Sequence, residues 1–379
     1  VLVLEIIGGL LILVFLVVVH ELGHALVARR NGVVVEEFGV GFPPRAWSKK
    51  LKNGVLFTLN WLPLGGFVKL QGEHDAADKP GDYGAATFWQ KTRILLAGVF
   101  INWLTAAVLL TILAWTGLPQ IIPNQFEMKG DTVTVSSPVQ VTSVVAQSPA
   151  EKAGLVQGDV ILRVAGEPVT TAGALANATK EHAGQAVEII YSRHNTESTT
   201  RVQLNKDGGN QGYLGVGSSQ TTINRSTWSA PVVGVVTTVQ LTGATFQGIG
   251  DLLTNLAKGL AYQLSPNSAQ RHEAQQSLAT AGASVSGPLG VLGVIFPAAE
   301  KAGLTQLVLL TAVISLSLAV MNVLPIPALD GGRWFVMALF RVLRKPLTKA
   351  REEKIQLIGM SALLILFLVV TIADVGKFF

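Results

Sequence analysis

Four runs of this chain are long and apolar enough to force a membrane reading: residues 1–28, 94–115, 305–324 and 355–374. As a helix rising about 1.5 Å per residue, each can cross roughly 30 Å of hydrocarbon. The rest of the composition agrees. Only 14% of the 379 residues are charged and 49% are hydrophobic, whereas a soluble protein carries roughly 25% charged residues. That excludes a disordered, collagen-like or small disulfide-stapled chain and argues against a soluble enzyme. The first run lacks a basic leader region and a small-residue cleavage site, so it reads as a retained span. One or more residues are expected to precede Val1.

Cysteine is absent, so a bound transition metal would have to use His and carboxylate ligands. Charge then orients the spans. Residues 25–95 hold ten Lys and Arg, 333–354 hold seven, and the much longer 117–304 segment holds eleven. By the positive-inside rule both short loops face the cytoplasm, with both termini and 117–304 on the other side. The net charge of +5 is thus a topology signal and no nucleic-acid footprint.

The expected fold class is a multi-pass α-helical membrane protein with four transmembrane helices, a re-entrant β-element and an inserted extracytoplasmic α+β domain. The spans and their flanks cover 1–31, 92–116, 305–332 and 355–376, with a basic cytoplasmic loop at 333–354. The loop 32–91 carries short strands and hairpins, since VVVEEFGVGFPP, VLFTLNWLPLGG and FVKL alternate apolar and polar residues around Gly and Pro. Backbone of that kind is tolerated at membrane depth only where protein or a wet cavity covers it. Residues 117–137 read as a linker. Residues 138–218 have soluble composition, with five short strands and one helix near 171–183. Residues 219–304 read as an amphipathic helix on the outer leaflet near 228–260 followed by a polar linker.

Ionisable residues inside a span cost on the order of 3 kcal/mol and are functional candidates by default. His20, Glu21 and His24 stand together between LLILVFLVVV and ALVA. On a helix the two His lie one turn apart and can reach one metal ion. This is the H-E-x-x-H arrangement, in which two neutral imidazoles bind Zn²⁺ and the Glu takes a proton from water acidified by the metal. Glu21 could then pass that proton to a leaving amine. A catalytic zinc needs a third protein ligand and one open position. Asp330, in NVLPIPALDGG at the same depth as His24, is the best candidate, although Asp-Gly is also a common turn dipeptide. His74, His182, His194 and His272 lie in polar segments and are weaker. Glu5 and Asp374 fall near span ends, where they reach the interface.

Together these motifs resemble the site-2 protease family of intramembrane zinc metalloproteases, specifically its bacterial RseP-like branch with a PDZ insertion. The resemblance rests on HELGHALVARR (20–30), GVGF (39–42), LPLGGFVKLQGE (62–73), LLAGVFINWLTA (95–106), SGPLGV (286–291) and NVLPIPALDGG (322–332). The run SPAEKAGLVQGDVILRVAGEPV (148–169) is similar to the PDZ signature. Val99 departs from the Pro usual after the Gly of the second-span motif. The resemblance implies one zinc per chain held by His20, His24 and Asp330, with Glu21 as general base. It implies that Asn102, Asn322 and Pro327 line the substrate path, with Gly65, Gly66 and Phe67 of the β-element pairing with an unwound substrate. It places a peptide- or carboxylate-binding loop at Gly212, Tyr213, Leu214, Gly215 and Val216, although GYLGV also reads as a plain closing strand.

The implied partners are single-pass membrane proteins, such as anti-sigma factors or remnant signal peptides, the lipid bilayer, and an upstream protease that trims substrates first. Nucleic acid is not among them. The implied location is the bacterial cytoplasmic membrane. Two other classes are weaker. A non-catalytic receptor would not need the complete ligand set with Glu21, and a metal transporter would spread polar residues through several spans rather than cluster them at one depth.

Overall fold

The computed structural model describes residues 2–209, 212–263, 265–283 and 285–378. It divides into two units, Trp115–Ser229 and the remainder, Val1–Ala114 with Ala230–Phe379.

The larger unit is helical. It contains α1 (Leu2–Arg30), α2 (Phe88–Thr116), α5 (Ala230–Gln263), α6 (Ser268–Ala283), α7 (Pro288–Gly290), a π-turn at Val291–Ile295, α8 (Phe296–Ala302), α9 (Leu304–Val323), α10 (Asp330–Val342) and α11 (Lys349–Phe378). Small residues let these helices approach closely. Gly9 lies against Phe296, where a Cβ would come within 2.7 Å of the ring, and Gly23 lies against the Ala97 carbonyl at 2.8 Å. α9 stops at Leu324, whose extended backbone is what a following proline imposes. The chain then turns so tightly into α10 that a Cβ on Gly331 or Gly332 would fall within 2.2 or 1.9 Å of backbone at Val323 and Ile326. The two glycines are therefore what place Asp330 at the first position of α10.

Between α1 and α2 runs a β-hairpin, β1 (Val35–Lys50) and β2 (Leu56–Leu70). Instead of several short hairpins, each long strand folds once, β1 at the cis-linked Pro43-Pro44 and β2 around Pro63 to Gly65. The register gives four segments side by side in the order 66–70, 35–40, 56–60, 45–50. One end of this sheet, at Gly66, lies beside Val17 and Glu21 of α1. The other end, at Val35 and Leu70, packs with Ala25 and Ala28.

Four sequence expectations need correcting in this unit. Residues 228–260, expected as an amphipathic helix on the outer leaflet, form a helix that packs along another helix. α5 packs antiparallel along α2, with Gly234 against Thr111 and the Trp103 indole N–H donating to Thr242 Oγ1 at 3.2 Å. Its Thr residues lowered the apparent hydropathy, but Thr238 and Thr242 donate back to carbonyls one turn earlier at 2.7 Å, which hides their polar atoms. The polar stretch after it is helix α6, folded back so that Gly259 meets Leu278. Among the described residues five helices are long and apolar enough to cross a membrane, and the bent pair Ser268–Ala283 and Pro288–Ala302 makes six if it counts as one span, against the four expected. Lastly, Glu5 and Asp374 do not reach out to an interface. Both are buried, and Asp374 accepts the backbone N–H groups of Gly287 and Gly290 at 3.0 and 2.8 Å.

The smaller unit contains β3 (Leu118–Pro119), β4 (Val133–Ser136), β5 (Val139–Val144), α3 (Pro149–Lys152), β6 (Val160–Val164), β7 (Glu167–Pro168), α4 (Ala172–Glu181), β8 (Ala186–Arg193), β9 (Thr196–Gln203), β10 (Val216–Ser219) and β11 (Thr222–Arg225). The strands expected near 139, 159 and 186 and the helix near 171–183 are present, the strand expected at 200–205 begins earlier as β9, and the one expected at 213–217 begins only at Val216 as β10. α4 begins where Thr171 Oγ1 accepts the Ala174 N–H at 2.9 Å, an N-cap. The main sheet runs β10-β5-β6-β8-β9, with β7 on β6, and covers a core that includes Val139, Ile161, Leu175, Ile189 and Leu214. The Arg193 guanidinium grips buried Asp159 at 2.7 and 2.8 Å and the Gly154 carbonyl at 2.8 Å. Residues 117–137 are not a plain linker: β3 and β4 pair with β11 in a second sheet. Asp131 there accepts the N–H groups of Thr227 and Ser229 at 2.9 and 3.1 Å, and these bonds with the two hydroxyls lower its pKa to about 2.

Candidate metal centre

α1 carries the first two residues of the centre one turn apart on its buried side. His24 donates from Nδ1 to the Ile94 carbonyl of α2 at 2.8 Å, which leaves the Nε2 lone pair free in the neutral ring. His20 Nδ1 lies 3.3 Å from the Asn102 amide, whose Oδ1 has no hydrogen-bond partner. Exchanging the amide O and N, which is a choice made from the hydrogen-bond network, lets Oδ1 accept from Nδ1–H and turns the His20 Nε2 lone pair inward as well. The Ser315 hydroxyl of α9 donates to the Asn102 carbonyl at 2.8 Å, which fixes this part of α2.

The two Nε2 atoms are 3.1 Å apart, and Asp330 Oδ2 lies 3.1 Å from one and 3.2 Å from the other. Three lone-pair donors with no hydrogen between them repel unless a cation lies among them. Bonds of about 2.0–2.1 Å to His nitrogen and carboxylate oxygen can reach all three corners of so small a triangle. His20, His24 and Asp330 are the one such group of ligand-bearing side chains found among the described residues. Gly98 makes the space, because a Cβ there would lie 2.4 Å from His24 Nε2 and 2.6 Å from His20 Cε1.

Glu21 is aimed past the triangle and held by the β-sheet: Oε2 accepts the Val68 N–H at 3.0 Å. Val68 belongs to the 66–70 segment at the sheet edge, so that edge and Glu21 face the same space. A cavity of ≈ 710 Å³ opens there, lined by Glu21, His24, Asp330, Phe67, Val68 and Arg333 among others. Gly66 lies 3.7 Å from the Glu21 side chain by its Cβ position, and Gly39 leaves room for the Phe67 ring.

The remaining sequence candidates scatter. Pro327 packs on Gly359 of α11, and Ala328 beside it donates its N–H to Gln356 at 2.7 Å. Asn322 bonds back to the Leu318 carbonyl of its own helix at 3.0 Å. Gly65 lies against Phe42. His74 lines the cavity but not the triangle. His182 and His194 belong to the smaller unit, and His272 lies on α6. In the 212–216 loop, Gly212 and Gly215 have left-handed backbones, and Leu214 is core. The Leu214 and Gly215 carbonyls accept from Ala150 and Val145 at 2.9 Å each. That pins the loop just before edge strand β10.

A group missed in the sequence is the clamp around Arg333, three residues after Asp330 on α10. Its guanidinium donates to the Glu73 carboxylate at 3.0 Å and backbone at 2.5 Å, and to Glu352 of α11 at 3.3 Å. It also lies 4.7 Å over the buried Tyr83 ring. The Glu352 carboxylate meanwhile accepts the Asp75 N–H at 2.8 Å. Its signal was visible: a basic residue directly after DGG, on a helix that is otherwise apolar over 334–340.

A convergent His–His–Asp set beside a held carboxylate, carried on helices long enough to cross a membrane, is the equipment of a membrane metallopeptidase. Residues 8–366 match peptidase family M50. The chain belongs to that family, the site-2 protease family of zinc metalloproteases. It is 32% identical over 373 residues to a putative zinc metalloprotease of Clostridium perfringens, covering 98% of each chain. It is 26% identical over 448 residues to the regulator of sigma-W protease RasP of Bacillus subtilis, covering 96% of each. Among solved structures it is similar to the PDZ domain of an SdrC-like protein of Listeria monocytogenes, at 20% identity over 24% of this chain and 93% of that one, with a TM-score of 0.20.

Proposed function

We propose that the chain hydrolyses peptide bonds within the transmembrane segments of single-pass membrane proteins, near their cytoplasmic ends. His20, His24 and Asp330 would hold the zinc, and Glu21 would act as general base. The observation that carries this reading is the 3.1–3.2 Å triangle of lone-pair atoms with Glu21 held beside it by Val68. When bound, zinc supplies a Lewis acid that acidifies water and polarises a carbonyl. The chain's own groups do the rest. Ile94 and Asn102 set the tautomers of the two imidazoles, as outer hydrogen-bond partners of metal ligands generally do. Glu21 takes a proton from water and delivers it to the leaving amine.

A helical substrate hides its peptide bonds in its own i to i−4 hydrogen bonds. Pairing as an extra strand on the 66–70 edge would unwind it and present one carbonyl beside Glu21, with Gly66 and Phe67 as contacts. Asn102, Asn322 and Pro327 belong to the proposed substrate path. RasP of Bacillus subtilis is described as a regulator of sigma-W, which favours membrane-bound anti-sigma factors as one substrate class.

Loop charge favours a cytoplasmic membrane with the zinc site near its inner face and residues 115–229 outside. There the 212–216 loop and β10 would form the groove of a PDZ domain that receives substrates already trimmed by another protease. The test is Glu21→Gln in native membranes. Cleavage should fall by about 10²–10⁴-fold with zinc content unchanged, and uncut single-pass proteins should co-purify. Undiminished cleavage would refute the assignment.

A further inference from the structure

One part of the β1–β2 sheet is reversed relative to a sheet built for water. Thr58 and Asn60 are buried there, with Thr58 donating to Glu37 at 2.8 Å and Asn60 to the Gly41 carbonyl at 3.1 Å. Its aromatic face points outward. Trp61 is 71% exposed and Trp47 50%, and Phe42, Leu59 and Leu62 are exposed with them. The register sets Trp47 opposite Leu59 and Phe42 opposite Leu62. The Trp47 ring lies 6.2 Å from Phe57, which stacks on Phe38 at the same distance. By alternation and register Phe57, Leu59, Trp61 and Trp47 share one apolar face on an element that is not a span, and Phe42 and Leu62 are exposed beyond the fold of the strands.

The face has a direction. Residues 42–45 and 60–66, apolar apart from Asn60 and Arg45, lie at the end beside Val17 and Glu21. Lys49, Lys50 and Lys52 lie at the opposite end, level with Leu56 and with the Ala25–Ala28 turn that leads to Arg29 and Arg30. From residue 45 to 50 the strand covers about 17 Å, close to the depth of one leaflet of a core roughly 30 Å thick.

The outermost segment, 45–50, has no strand on its far side among the described residues. An open edge of backbone N–H and C=O groups is not tolerated against hydrocarbon. At the apolar end the chain removes donors with Pro43 and Pro44. Further along, the edge needs an acceptor that lives at an interface. The nearby acids are engaged, Glu36 with Lys69 at 2.8 Å and Glu37 with Arg45 at 3.2 Å. Lys49, Lys50 and Lys52 have no ion pair among the described residues.

We infer that this surface binds anionic phospholipid headgroups. Lys49, Lys50, Lys52 and the open edge hold the phosphates, and the Trp47, Leu59 and Trp61 face lies in the acyl chains beside them. The chemistry is that of a basic and aromatic membrane-interface segment, placed at the edge of the sheet opposite the 66–70 segment that holds Glu21. It is independent of the peptidase chemistry proposed above.

Because the chain has no cysteine, Leu51→Cys gives a single attachment point for an NBD fluorophore on the full-length protein. In phosphatidylcholine nanodiscs, a small fraction of acyl-spin-labelled phosphatidylglycerol should quench it several-fold more than the same fraction of spin-labelled phosphatidylcholine. The scale is about fivefold preference per basic residue at an anionic surface. K49Q, K50Q and K52Q together should abolish the difference, and Arg at the same three positions should restore it. All three side chains are exposed, and retained zinc content reports that the fold is intact. Equal quenching by the two lipids would overturn headgroup recognition. Quenching by neither would mean that water or a protein covers the tip, and would overturn the proposal entirely.

Discussion

Gly98→Ala adds one methyl group and should cost the protein its metal rather than its fold. The new Cβ would lie 2.4 Å from His24 Nε2, whereas ordinary contact begins near 3.4 Å, so the ring must retreat by 3.4 − 2.4 = 1.0 Å. It cannot swing freely, because Nδ1 is bonded to the Ile94 carbonyl at 2.8 Å and His20 is held against Asn102. Losing one such bond costs about 0.5–1.5 kcal/mol, and pushing a ring about 30° off its rotamer costs a similar amount. Replacing Gly by Ala inside a helix returns about 1 kcal/mol, so net stability should change by only about 0–2 kcal/mol.

Metal binding has no such compensation. Ligand distances must hold within about 0.2 Å, and loss of an orienting partner alone costs about 10–100-fold in affinity. The assay is zinc retention against a graded chelator, measured beside the thermal midpoint of the metal-free protein in detergent. The expected result is a midpoint within a few degrees of the parent and zinc affinity at least about 10-fold weaker. A Gly98→Ala protein with parental zinc affinity would refute both the triangle as the binding site and the close approach of α2 to it.

Other outcomes follow from the same structure. Arg333→Ala leaves Glu73 and Glu352 without their shared cation and should destabilise the cavity wall by about 1.5–3 kcal/mol. Faster hydrogen exchange over 70–85 and 349–356 would show this, with Lys recovering only part of the protection because it lacks the fork. Asp159 is held below the usual carboxylate range by the Arg193 hydrogen bonds. Its contribution is therefore fully present above an unfolded pKa of about 3.9 and lost as pH falls through the lower folded value. Proteolytic protection of residues 139–203 in the full chain should accordingly fall below about pH 4, and Asp159→Asn should flatten that dependence. Asp374→Ala removes the acceptor for Gly287 and Gly290 and should raise hydrogen exchange there while leaving zinc content unchanged.

The chemistry was legible early because it is local. A helix brings positions i and i+4 together whatever surrounds it, so His20 and His24 could be paired from spacing alone, and the apolar flanks removed the reading of a solvated surface. The strands of the smaller unit were equally visible, since alternation and turn glycines act over a few residues. The linkers were misread for the opposite reason. Residues 118–119 and 133–136 become strands only because 222–225 returns to pair with them, a partnership about a hundred residues away that carries no local periodicity. α5 was taken for a surface helix because its Thr and Gly count as polar or flexible in sequence. Packed on α2, they are the contact.

By itself the sequence determined the solvent, the motif and the ligand types: apolar runs of span length, a chain without thiolates, and imidazoles where no water could host them. Only the tertiary structure decided that Asp330 closes the triangle, since a residue 306 positions beyond His24 reaches it through a turn that Gly331 and Gly332 alone can make. The same holds for Gly98 and the Val68 amide. One acts by having no side chain and the other through its backbone, and neither leaves a chemical signature in a string of residue types.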